Sequence, residues 1–151
     1  MDRHGSLARI KPEYVMTRSD LVEPPMSESD WEDLRRGLRL FHAFEFWDAH
    51  EAWEGIWRRH RSNSRVFVQG LIQLAAACYQ VRRGICHGAI KHFSNAHHKL
   101  GQFPDGFLGV RVVALCHAIE TCQKEIDRLG PANLGAFPVG VFPVIGLREE
   151  T

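Results

Sequence analysis

From Val66 to Val81 the chain reads VFVQGLIQLAAACYQV, and its apolar residues run round the whole circumference of a helix. Such a helix has no face to give to water, so it must lie at the centre of the molecule with other elements wrapped around it. Its polar exceptions are Gln69, Gln73 and Gln80. Gln69 and Gln73 stand one turn apart and project from one face, and Gly70 between them lets a second backbone come close.

The stretch just before it, FWDAHEAWEGIWRR, has no proline, and its apolar residues recur at three and four. Placed at 100° per residue, Ile56, Ala49, Phe46, Trp53 and Trp57 fall in one arc. His50 and Glu54 lie inside that arc, between Trp57 and Trp47. Asp48, Gly55, Arg59 and Ala52 share the opposite face, and Glu51 sits at the border. The wheel therefore predicts that an imidazole and a carboxylate one turn apart point toward the core. An unpaired carboxylate there costs on the order of several kcal/mol, so partners or a metal are required. Only the short break at Arg61 to Ser64 separates the two helices, so they should return antiparallel. Gln69 and Gln73, which both donate and accept, would then face His50 and Glu54 across the hairpin, with Trp47 and Trp57 as a frame.

The remaining chain supplies the wrapping. A helix should start in SESDWEDL, where Ser29 and Glu32 have capping-box spacing and Trp31, Leu34, Leu38 and Phe41 form a stripe. A bend near His42 and Ala43 should separate it from the His50 helix. Gly84 should end the central helix. A fourth helix is expected from about Cys86 to Leu100, with Ala89, Phe93, Ala96 and Leu100 inward and His87, His92 and His98 in solvent. GQFPDGFLG reads as a loop. A fifth helix carries Leu108, Val112, Leu115, Ile119, Cys122, Ile126 and Leu129, and Gly130-Pro131 stops it. The expected architecture is all-α: a single compact bundle of about five helices over residues 27–130. An irregular N-terminal arm (1–26) precedes it and an extended, non-helical apolar tail (131–151) follows. The tail is too apolar to be free in water, so it should cover a groove of the body or join two copies in a homo-oligomer.

A net charge of +1 favours neither nucleic acid nor a membrane surface as partner, and no apolar run approaches a membrane span. The N-terminus has no signal-peptide pattern. Cys78, Cys86, Cys116 and Cys122 form no CxxC and read as free thiols of a cytoplasmic protein. No glycine-rich phosphate loop and no GxSxG motif occurs.

LFHAFEFWDAHEAWEGIW followed by QGLIQLAAACYQVRRGICHGAIKHF resembles the bacterial and archaeal domain-of-unknown-function 309 family. The resemblance rests on Ala49-His50-Glu51, Glu54, Trp57, Gln69 to Ala75 and Gly88-Ala89 in combination. It implies a small all-helical domain and carries the label of a predicted metal-dependent hydrolase. Three positions depart from the family pattern: His42 and Ile85 stand where Asn is usual, and Phe44 where Gly is usual. On the hydrolase reading His50 and Glu54, at i and i+4, are ligands of a divalent metal. Glu51 is then a third ligand or the general base for a bound water acting on a small-molecule substrate, and His42 or His92 is the candidate for a distant further ligand. The HExxH zincin pattern is not met, because Glu54 replaces the second histidine. The other reading is a non-catalytic binding or assembly module, with the same residues as a buried polar network clamping two helices.

Overall fold

The computed structural model describes residues 14–148. Its α-helices are α1 (Glu28–His42), α2 (Phe46–Arg59), α3 (Val66–Arg82), α4 (Cys86–Leu100) and α5 (Val112–Leu129). Among the described residues there is no strand, only an isolated antiparallel bridge between Val110 and Leu147. The all-α bundle expected from the hydropathy pattern is therefore the fold. Residues 1–13 of the arm, and the last three of the tail, lie outside the described residues.

α3 is the central helix. Phe67, Val68, Leu71, Leu74, Ala75, Ala77 and Cys78 are fully buried in it. α2 packs on one side of it and α4 on the other; α1 covers α2, and α5 covers α4. At Gly70 α4 comes close, since a Cβ there would stand 2.8 Å from Leu100 Cγ. Gly37 of α1 does the same for Trp53, whose Nε1 donates to Leu34 O at 3.2 Å. The indole fills the space that a side chain at Gly37 would need.

The cap of α1 is set two residues earlier than the spacing suggested. Ser27, not Ser29, is the N-cap: its hydroxyl accepts from Asp30 N at 3.0 Å and Asp30 Oδ2 accepts from Ser27 N at 3.0 Å. Asp30 takes that role from Glu32 because its carboxylate is also gripped from α2. α5 begins at Val112. Leu108, the first member of the expected seam, instead lies in the short 3-10 turn Phe107–Gly109 with φ 49, buried all the same.

The tail contains two 3-10 turns, Pro131–Ala136 and Val139–Val141, so it is coiled rather than extended. It lies on its own body. Leu134, Phe137, Phe142 and Ile145 are buried, with the Phe142 ring 5.1 Å from that of Phe46 and 5.8 Å from that of Phe44. Ile145 N donates to His42 Nε2 at 3.0 Å, and Arg111 N donates to Gly146 O at 2.9 Å. Burial pulls the His42 imidazole below its usual range, in keeping with the neutral ring that this bond needs. Two departures from the family pattern, His42 and Phe44, thus both touch the tail. Phe44 does so at a cost: its φ is 65°, in the left-handed region that suits glycine.

Candidate functional site

α3 is buried apart from its exposed end at Arg82, the half-buried Tyr79 and one longer stripe. Gln69, Gln73, Ala76 and Gln80 are half-buried, at i, i+4, i+7 and i+11, and together form a seam between α2 and α4. The glutamines that stood out in an otherwise apolar run mark this seam.

α2 supplies one wall. The side chains of His50 and Glu54 are 16% and 31% exposed, so they sit at the rim and not in the core. Trp47 is 47% exposed; the wheel put it in the apolar arc, yet it lies on the surface, stacked on His50 at 4.8 Å and 12° and 5.3 Å from the Tyr79 ring. Ala52, assigned to the polar face, is buried, because α2 is sandwiched between α1 and α3 and needs two apolar faces. Glu51 is exposed. Trp57 is half-buried and serves the α2–α3 turn: the Arg65 guanidinium lies 3.7 Å from its ring centroid and donates to Trp57 O and His60 O.

α4 supplies the other wall, through residues the pattern had left in solvent or passed over. His92 and His98 are half-buried, whereas His87 is exposed as expected. Burial, followed by the nearby Lys91, His50 and Lys99, pulls His92 below its usual range. Lys99 is buried, and burial lowers its amine too. Its Nζ donates to Gln73 Oε1 at 2.9 Å. The signal for both was present in the sequence: His92 and Lys99 each stand three residues after a stripe alanine, Ala89 and Ala96.

The expected hydrogen-bonded network across the hairpin takes a different form. Gln73 turns to α4, not to His50. His50 Nε2 stands 3.7 Å from Glu54 Oε2, while Arg58 donates to Glu54 Oε1 at 3.2 Å. Among the described residues five buried side-chain atoms have no hydrogen-bond partner: His50 Nδ1, Gln69 Oε1, Gln80 Oε1 and His92 Nδ1, and also His98 Nε2 further along α4. Such atoms are uncommon in folded chains and ask for a reason.

A fully satisfied buried pair exists elsewhere. His60 Nε2 lies 2.7 Å from Asp30 Oδ2, and the Arg59 guanidinium donates to Asp30 Oδ1 and Asp33 Oδ2, each at 2.6 Å. Burial by itself would raise the Asp30 carboxyl. The Ser27 amide, Arg59, His60 and the Ser27 hydroxyl outweigh it and hold the carboxyl down at about 2.

His50 and Glu54 bring two donors, and no group of three or more His, Cys, Asp or Glu side chains among the described residues is placed to hold an ion. A catalytic zinc takes three protein ligands, so these residues do not fit one.

Fold and seam together define a small all-α domain whose central helix shows a half-buried polar stripe. Residues 34–92 match the model of the DUF309 family, described as a domain of unknown function. The match runs from α1 into α4 and includes His50, Glu54, Gln69, Gln73, Gln80 and His92; Lys99, α5 and the tail lie beyond it. No curated protein and no solved structure matches the chain. Among the described residues no helix is long and apolar enough to cross a membrane.

Proposed function

We propose that this chain is a small binding module, not a hydrolase, and that the seam along α3 receives a polar small-molecule ligand. The observation that supports the reading is the set of partnerless buried atoms on one seam: His50 Nδ1, Gln69 Oε1, Gln80 Oε1 and His92 Nδ1. A network kept only to clamp helices satisfies its own atoms, because a stranded buried polar group costs about 1–3 kcal/mol. A receiving site keeps them open at the expense of stability. The half-exposed Trp47, stacked on His50 at the mouth of the seam, offers a flat face to such a ligand.

The sign of one stability change tests the reading. Gln69→Leu keeps the volume and removes the stranded carbonyl, so urea unfolding should show it neutral or more stable than the parent. A loss of about 1–3 kcal/mol would return Gln69 to a structural role. The hydrolase reading has its own test. Elemental analysis of protein purified without tag or chelator should show no stoichiometric divalent metal, and a bound metal lost in His50→Ala would restore that reading.

A further inference from the structure

Several bonds fasten the tail to the body. Arg111 N donates to Gly146 O at 2.9 Å, Arg148 N to Gly109 O at 2.7 Å, and Cys122 Sγ to Val141 O at 3.3 Å. Beside Gly146, Ile145 N donates to His42 Nε2 at 3.0 Å. A peptide N–H can only donate, so this last bond needs a bare lone pair on Nε2. With the tail docked the ring is therefore neutral and carries its proton on Nδ1. The nitrogen is spent on the tail and is not offered to a metal.

Protonation reverses the chemistry at this point. It sets a ring N–H against the peptide N–H, so the bond is lost and the peptide donor is stranded. The charged ring must also stay against Phe41, whose ring it meets at 5.8 Å and 78°, and against the tail. Burial already pulls the imidazole below its usual range, so docking opposes protonation and protonation opposes docking. The bond's contribution is complete above the usual imidazole value and is lost as pH falls below it.

What the bond holds down is an aromatic cover. The Phe142 ring lies 5.1 Å from that of Phe46, 5.8 Å from that of Phe44 and 4.9 Å from that of Phe137. The charged groups on the surrounding elements come from four places. Arg39 and Glu45 flank His42 in the chain, and Asp48 stands in the first turn of α2. The Arg82 guanidinium of α3 lies 5.9 Å from the Phe44 ring centroid, and Arg111 Nε donates to Leu147 O at 3.1 Å. Residues 131–147 of the tail contain no titratable side chain. Of these side-chain types only imidazole normally changes charge between about pH 5 and 8.

We propose that His42 is an acid-sensitive latch on the tail: protonation at Nε2 releases the Ile145 N–H and loosens residues 142–146 from Phe44 and Phe46. This device stands apart from the seam and does not depend on the binding-module reading.

The test is amide hydrogen exchange of the full chain at about pH 7.5 and about pH 5, on either side of the usual imidazole value, with rates corrected for the intrinsic effect of pH. Protection of the Ile145 amide should fall about tenfold at the lower pH, the order of one hydrogen bond. The Leu74 amide, in the fully buried middle of α3, should keep its protection, which separates the latch from global unfolding. His42→Asn offers a carbonyl acceptor that does not titrate, and its Ile145 protection should be the same at both pH values. Nitrogen resonances of the His42 ring should show Nε2 unprotonated at the higher pH, and their titration midpoint should coincide with the loss of protection. That coincidence decides if the shorter Asn side chain fails to hold the amide at either pH. Ile145 protection that ignores pH, falls together with that of Leu74, or falls equally in His42→Asn overturns the proposal. So does a His42 ring that titrates without effect on Ile145.

Discussion

Two imidazole–carboxylate pairs mark the two ends of the same problem. His60 and Asp30 join the C-terminal end of α2 to the N-terminal end of α1; their side chains are 10% and 3% exposed and 2.7 Å apart. His50 and Glu54 lie on one face of α2, 16% and 31% exposed and 3.7 Å apart. In the first pair each carboxylate oxygen is used, by Ser27 and His60 on one side and by Arg59 on the other. In the second, an imidazole nitrogen is left without a partner. The first pair links elements distant in sequence and completes its hydrogen bonds, whereas the second is built on neighbouring residues and leaves a bond open, and on the binding-module reading proposed above that open bond is what a ligand would use.

The comparison can be broken most directly at the first pair. Asp30→Ala should cost about 3–5 kcal/mol, the usual loss when one partner of a buried charge pair is removed. Urea unfolding measures it, and a loss no larger than that of a surface substitution would erase the distinction. The pH profile comes next. Asp30 is held at about 2 in the fold against about 3.9 unfolded. Its contribution is therefore complete above pH about 4 and is lost as pH falls through about 2. The unfolding midpoint of the parent should drop across that window, and that part of the drop should be missing in Asp30→Asn. The smallest effect belongs to the other pair. Glu54→Gln should change stability by less than about 0.5 kcal/mol, because a long, partly exposed ion pair contributes little. A cost comparable to that of Asp30→Asn would make the two pairs the same kind of object.

Much of the bundle was legible because it depends on local period. The all-round apolar run of α3 dictated its central place, and the short Arg61–Ser64 break dictated the return of α3 along α2. What could not be read depended on partners far along the chain. Ser27–Asp30 and Ser29–Glu32 offer similar caps locally, and Asp30 wins through Arg59 and His60, which the sequence does not place beside it. A helical wheel gives α2 one apolar face, but α1 and α3 together demand two, hence the buried Ala52 and the exposed Trp47. The glutamines, His50 and Glu54 were visible as oddities in apolar surroundings. Lys99 was not, because a lysine beside a stripe normally extends to water, and here Tyr14 lies over it.

Phe44 carries an evolutionary consequence. Its left-handed backbone costs about 1–2 kcal/mol relative to the glycine usual in the family pattern, and its ring meets Phe46, the tail residue Phe142 and, at 5.9 Å from the centroid, the Arg82 guanidinium. The merit of this side chain is therefore conditional on a segment nearly a hundred residues away in sequence. With the tail present, Phe44→Gly should leave thermal stability unchanged or lower it. In a chain cut before Phe137 the same substitution should raise the melting temperature. That reversal would be sign epistasis between the turn and the tail: the contact with Phe142 is what would set the backbone cost of an aromatic ring at this position against a gain.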